Sequence, residues 1–136
     1  MKDFEELAHT ADMRMRVSGR DLKTLFINAA RGMYYLAGVP RKGKAGRVVS
    51  VEVEGLDEVD LLARWLNELL YRLNVKHTVL HNIDIKTLLP TKLHATGNQF
   101  HLKPADVQVE LKAATYHNLK ITREGKVFST EIIFDV

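Results

Sequence analysis

The last two residues, Asp135-Val136, are expected to hold a side-chain carboxylate and a terminal carboxylate close together, with about 3.8 Å between their Cα atoms. Two adjacent hard anions favour a divalent cation, and all-oxygen ligation suits calcium, magnesium or manganese better than zinc. The plain alternative is an acid solvated at a chain end. Near the start, His9-Thr10-Ala11-Asp12 brings together residue types that occur in sites and, just as readily, in turns and caps. Tyr116 and His117 face opposite sides of a regular strand, so each is either a core hydrogen-bonding residue or a site residue projecting from a strand end. His77 and His81 have the i, i+4 spacing of zinc ligands on a helix, yet past Asn74 the pattern turns strand-like. The densest basic stretch, Arg41 to Arg47, follows Pro40 and contains no aromatic residue. It reads as a solvated loop, or else as a phosphate or partner contact.

Several chemistries are missing. The chain has no cysteine, which removes disulfides, thiolate zinc sites and cysteine nucleophiles together. It has no Walker A loop, no GxGxxG after a strand, no HExxH and no GxSxG elbow. Ser18, Ser50 and Ser129 are its serines, and none stands in a recognisable nucleophile setting. A net charge of +3, from 20 basic and 17 acidic residues, permits nucleic-acid contact without arguing for it. No apolar run follows a basic start, and no charge-free stretch is long enough to span a bilayer. The expectation is a soluble cytoplasmic protein that does not engage a membrane. Its 136 residues suit one domain, residues 1–136, burying roughly two-thirds of the unfolded surface.

The elements that must position these residues follow from hydrophobic period. Met13, Met15 and Val17 alternate with Arg14, Arg16 and Ser18, predicting a strand with Asp12 at its mouth. Leu22, Leu25, Phe26, Ala29, Met33 and Leu36 then form one helical stripe, capped by Ser18 or Asp21 and stopped by Gly38 and Pro40. Val49, Val51 and Val53 predict a second strand, ending at Gly55. Asp57 serves as N-cap of a second helix, with Asp60 at the N3 position of a variant capping box. Leu61, Leu62, Trp65, Leu66, Leu69, Leu70 and Leu73 give that helix a face too broad for a surface helix, so it belongs in the core. Strand-like segments follow at 79–88, 92–96, 107–116 and 127–134, with turns expected at Gly97-Asn98 and Glu124-Gly125. In the last one, Phe128, Thr130, Ile132 and Phe134 share a face, leaving Glu131, Ile133 and Asp135 on the other. Connections this short exclude parallel crossovers. The expected class is α+β, two layers, with a mostly antiparallel or mixed sheet against two main helices.

Taken together, four blocks resemble the archease family: His9-Thr10-Ala11-Asp12; Leu61 to Leu70, reading LLARWLNELL; Lys112 to Leu119, reading KAATYHNL; and the terminal Ile133-Phe134-Asp135-Val136. They recur in order across essentially the whole chain. The resemblance implies a small α+β protein that binds a metal, typically calcium, with magnesium or manganese as alternatives. It also implies an activator of the RNA ligase that joins 3′-phosphate or 2′,3′-cyclic-phosphate ends to 5′-hydroxyl ends in tRNA splicing. That ligase guanylylates its own histidine and makes the bond, so the activator is a protein cofactor with no catalytic residue of its own, and any tRNA contact is indirect. Carried onto this chain, Asp12 and Asp135 match the metal-binding acids, with Val136 adding a backbone or terminal oxygen. His9 orients the turn or touches the ligase, while Glu68, Lys112, Tyr116 and His117 fall in the site's neighbourhood. The chain departs from the family pattern at Phe100 to Asp106, where Lys103 is the candidate for a functional lysine. The rival readings are a chaperone-like or RNA-binding module using residues 41–47, and a metal-dependent hydrolase, for which no general base or nucleophile stands out.

Overall fold

The alternating segment after Asp12 forms β2 (Met13–Gly19), which lies between β1 (Phe4–Leu7) and β8 (Val127–Asp135) in the computed structural model, where residues 2–7, 12–40 and 46–136 are described. Beyond β8 the sheet is completed by two short strands that both pair with it, β6 (Ala113–Ala114) and β7 (Thr122–Glu124). A second sheet has the order β3 (Val48–Glu54), β5 (Lys92–His101), β4 (Thr78–Leu89). Every described pairing is antiparallel, and the class is α+β as expected, with the strands divided between two sheets. Helix α1 (Leu22–Leu36) packs mainly on the first sheet and α2 (Glu58–Asn74) on the second and beside β6.

Local chemistry sets the helix ends. Asp21 caps α1, its carboxylate accepting from the Thr24 amide at 2.8 Å, and Gly38 at φ 71 turns the chain out of it. Asp57 caps α2 by accepting from the Asp60 amide at 2.8 Å. Asp60 does not return the bond to Asp57; it reaches one residue further back and accepts from the Leu56 amide at 2.7 Å. The helices meet in one apolar core, where the indole of fully buried Trp65 donates to the Phe26 carbonyl at 3.0 Å.

Two expectations need correction. Gly97-Asn98 is no turn: both residues lie inside β5, and the β4–β5 hairpin turns at Pro90-Thr91. Gly97 is there because a Cβ would come within 2.6 Å of the Leu80 side chain and 2.8 Å of the His81 carbonyl, opposite an irregularity in β4. The segment 107–116 is extended but, apart from Ala113 and Ala114, it is not in a ladder. Its alternation is genuine from Val107 to Lys112, where Val107, Val109 and Leu111 are covered and Gln108, Glu110 and Lys112 are exposed, but α2 satisfies much of its backbone. Asn74 donates to the Leu111 carbonyl at 2.9 Å, while Asn67 donates to the Ala114 carbonyl at 3.0 Å and accepts from the Ala114 amide at 2.8 Å. Upstream, the amides of Gln108 and Val109 both donate to the Ala37 carbonyl at the end of α1.

Asn67→Ala should therefore cost about 1–3 kcal/mol in urea unfolding, because it strands two backbone groups. Native-state hydrogen exchange at Ala114 should accelerate selectively; unchanged exchange there would show that β8 alone holds the segment.

Candidate functional site

The register of β2 on β8 pairs Met13 with Phe134, Met15 with Ile132 and Val17 with Thr130. Continued one step, it sets Asp12 opposite Asp135. Directly opposed residues share a sheet face, with Cβ atoms about 4.5–5.5 Å apart. The inner face carries Met15, Val17, Ile132 and Phe134, all essentially inaccessible, so Asp12 and Asp135 stand on the outer face with Arg14, Arg16, Glu131 and Ile133.

Charge on that face is otherwise complementary from strand to strand. Arg16 lies between Glu5 and Glu131 and donates to both, at 3.2 and 2.9 Å. In the next row Arg14 lies between Leu7 and Ile133, and it turns along its own strand so that Nε donates to Asp12 Oδ1 at 3.0 Å. On this continued register Asp12 and Asp135 would be directly opposed like charges, whereas among the described residues no pair in the ladders β1–β2 and β2–β8 opposes like charges. On the far side of Asp135 stands Ala113, whose side chain is small, and the Lys112 amide donates to the Asp135 carbonyl at 2.8 Å. Val136 follows, half-exposed.

This donor set suits a hard divalent cation. It offers two carboxylates with main-chain oxygen beside them, and a guanidinium already stands in as a cation on one of the acids. Among the described residues no three His, Cys, Asp or Glu side chains cluster as a metal site, so a cation here would complete its shell with main-chain oxygen and water.

The remaining candidates divide. His9 and positions 41–45 of the basic stretch lie outside the described residues. Glu68 is in an i, i+4 ion pair with Arg72 at 2.7 Å. Lys112 and His117 are exposed on the segment beside β8. Lys103 precedes a single 3-10 turn, Pro104–Asp106, its amide donating to the Asp106 carboxylate at 3.0 Å. That loop leads to the contact with Ala37 at the end of α1. Because α1 folds back on β2 through a short turn, this is the Asp12 end of the sheet. His77 and His81 share no helical face: His77 has φ 55 beyond the end of α2, and His81 lies on β4 with its ring edge-on to Phe100, at 4.5 Å between centroids.

Tyr116 leads to a residue the sequence presented only as a cap. Its hydroxyl donates to Asp60 Oδ1 at 2.6 Å, while Oδ2 accepts from the Leu56 amide and from Arg64 Nε at 2.8 Å. The Tyr116 hydroxyl foremost, and then the Leu56 amide, hold the Asp60 carboxyl below its ordinary pKa; donation to Asp60 pushes the Tyr116 phenol up. The available signal was spacing. Asp60, Asn67 and Asn74 recur every seven residues, down one side of α2.

The chain matches the model of the archease protein family (MTH1598/TM1083) over residues 4–136. The archease of Archaeoglobus fulgidus is 33% identical, with 98% of each chain covered. That of Sulfurisphaera tokodaii is 30% identical, with 100% of each covered. Among solved structures, the solution structure of protein 1598 from Methanobacterium thermoautotrophicum superposes with a TM-score of 0.78 at 28% identity, covering 100% of both chains. The crystal structure of an archease from Thermotoga maritima, described as a possible chaperone, gives a TM-score of 0.66 at 21% identity, covering 97% of this chain and 96% of its own, and shows a shared fold.

The lowered pKa of Asp60 carries a pH dependence. A carboxyl depressed on folding adds stability that is fully present above its ordinary value of 3.8 and is lost as pH falls through the lower folded value. Tyr116→Phe removes the largest cause, so Asp60 should titrate closer to 3.8 in carbon-detected NMR, and the variant should unfold in acid at higher pH than wild type. An unmoved Asp60 titration would discount the Tyr116 bond.

Proposed function

Because the chain belongs to the archease family, we propose that it activates the RNA ligase joining 3′-phosphate or 2′,3′-cyclic-phosphate ends to 5′-hydroxyl ends in tRNA splicing, acting in the cytoplasm as a metal-dependent protein cofactor. The opposition of Asp12 and Asp135 at the end of the β2–β8 ladder carries this reading. Two carboxylates sharing a single guanidinium, on a face that otherwise pairs its charges, make a position that a divalent cation would stabilise. Asp12, Asp135 and a main-chain oxygen of Val136 would hold the ion. Calcium suits them best, because it accepts irregular shells of carboxylate, carbonyl and water oxygens, whereas magnesium demands near-ideal octahedral geometry.

The ion would supply positive charge at an exposed corner. The chain's own part is to keep that corner rigid and to flank it with groups a partner can touch. Lys112, Tyr116 and His117 belong to the segment that α2 clamps beside β8. Glu68 neighbours Asn67, which provides two of those clamping bonds. His9 and Lys103 complete the set of proposed ligase contacts. Bond making stays with the ligase, which guanylylates itself, passes the nucleotide to the RNA 3′-phosphate and releases it on attack by the 5′-hydroxyl. Contact with tRNA is then indirect. No helix of the described residues is long and apolar enough to cross a membrane, in keeping with a proposed role away from one.

Wild-type protein should raise the guanylylation rate of its cognate ligase. Asp12→Ala and Asp135→Ala should each return the rate to that of the ligase alone while leaving the far-ultraviolet circular dichroism unchanged. No acceleration by wild type at any ratio would defeat the proposal. Activation that survives both alanines but disappears when Arg41, Lys42, Lys44 and Arg47 are neutralised would move the function to the basic stretch and to a chaperone-like or RNA-binding role.

A further inference from the structure

Resting on that reading of Asp12 and Asp135, we propose that Arg14 is the site's internal competitor: its guanidinium holds Asp12 until a divalent cation displaces it, and so tunes the affinity for the cation. Asp12 immediately precedes β2, two residues before Arg14, and the Arg14 Nε lies 3.0 Å from its Oδ1. The contact is through Nε alone, without the two-pronged fork that makes arginine–carboxylate pairs strong. Both side chains are partly solvated, 43% exposed for Arg14 and 31% for Asp12. Ion pairs this exposed alter an equilibrium by a factor of about two to five, enough to modulate a cation site and too little to block it.

Arg16 differs from Arg14 in its partners. The two arginines are alternate residues of the same strand and look equivalent in sequence. Arg16 is fixed by Glu5 and Glu131 across the sheet, one on each side. Arg14 has Leu7 and Ile133 in those places, so among the described residues Asp12 is its only acidic partner. Charge then makes the exchange follow from occupancy. With Arg14 in place, the two side-chain acids and the guanidinium sum to −1. A divalent ion balances those two acids by itself, and keeping Arg14 on Asp12 would leave two cations sharing one carboxylate. Arg14 is the member free to leave. Its guanidinium then projects from the outer face between two apolar side chains, so that cation binding changes what this face presents.

Calcium titration of the purified protein by calorimetry tests the exchange directly, using Arg14→Gln and Arg16→Gln beside wild type. Arg14→Gln should bind calcium about two- to fivefold more tightly. Arg16→Gln should bind like wild type: four residues along the strand is roughly 13 Å at the usual rise, beyond a Debye length of about 8 Å in physiological salt. The Arg14 Nε–H resonance, assigned by its loss in the Arg14→Gln variant, should shift during the calcium titration of wild type. Equal affinity in wild type and Arg14→Gln, an Nε–H signal that calcium does not move, or equal tightening by Arg16→Gln would each overturn the role of Arg14 while leaving the cation site standing. Absence of calcium binding in all three proteins would overturn the site itself, and the role of Arg14 with it.

Discussion

The antiparallel register of β2 on β8 is the constraint from which the rest of the molecule follows. Side chains alternate faces along a strand, so a slip of β2 by one residue would exchange Met15 and Val17 for Arg14 and Arg16 on the core side. Burying each of those two apolar side chains is worth about 1.5–3 kcal/mol. Their joint loss, about 3–6 kcal/mol, is a large fraction of the whole stability of a typical domain at about 5–15 kcal/mol. Driving two charges into the core would add to the cost. The continued register that would set Asp12 opposite Asp135 is thus a remote consequence of core packing.

A second constraint acts through α2. Fourteen residues of helix, from Asp60 to Asn74, rise about 21 Å. The five steps from Leu111 to Tyr116 span roughly 17–18 Å when extended, and the tyrosine ring supplies the remaining reach. Three polar residues on one side of a helix can therefore hold an extended segment along its length: Asn74 at Leu111, Asn67 at Ala114 and Asp60 at Tyr116. Since the Ala114 amide and carbonyl are taken by Asn67, β8 receives its contacts from the flanking residues, with the Lys112 and Thr115 amides donating to the Asp135 and Ile133 carbonyls. The segment joins the end of β8 to the core helix, so the corner carrying Asp135 inherits the rigidity of α2.

Most of this architecture was legible where period and burial coincide. The stripes of α1 and α2, the alternation of β2, β3 and β8 and the outward facing of Asp135 are all present, because each of those segments buries one clean face. Legibility failed where the partner of a polar group decides the structure. Alternation from Val107 to Tyr116 resembles a strand, yet nothing in those residues says that the Asn67 and Asn74 side chains will satisfy the backbone. Gly97-Asn98 has the composition of a turn, and only the approach of Leu80 explains a glycine within β5. Asp60 was readable as a cap because capping is local, whereas its bond to Tyr116 spans 56 positions of chain. Arg14 was readable as an outward residue, but its difference from Arg16 depends on the order β1-β2-β8, which no local pattern reveals.

The position of the like-charged pair is itself informative. In the middle of the outer face a pair of carboxylates would have its main-chain oxygens committed to ladder bonds, leaving a cation with side-chain ligands only. At the end of the ladder, Asp12 precedes β2 and Val136 follows β8, so main-chain oxygen lies beyond the last paired residues and two acids suffice to begin a shell. The repulsion this leaves without an ion is modest, of the order of 1 kcal/mol for directly opposed charges in a sheet, and Arg14 relieves part of it. The fold would thus persist without an ion at the proposed site and gain stability on binding one. That combination would suit a site whose occupancy changes the surface offered to a partner, and it would distinguish the proposed site from a structural metal site, where folding itself depends on the ion.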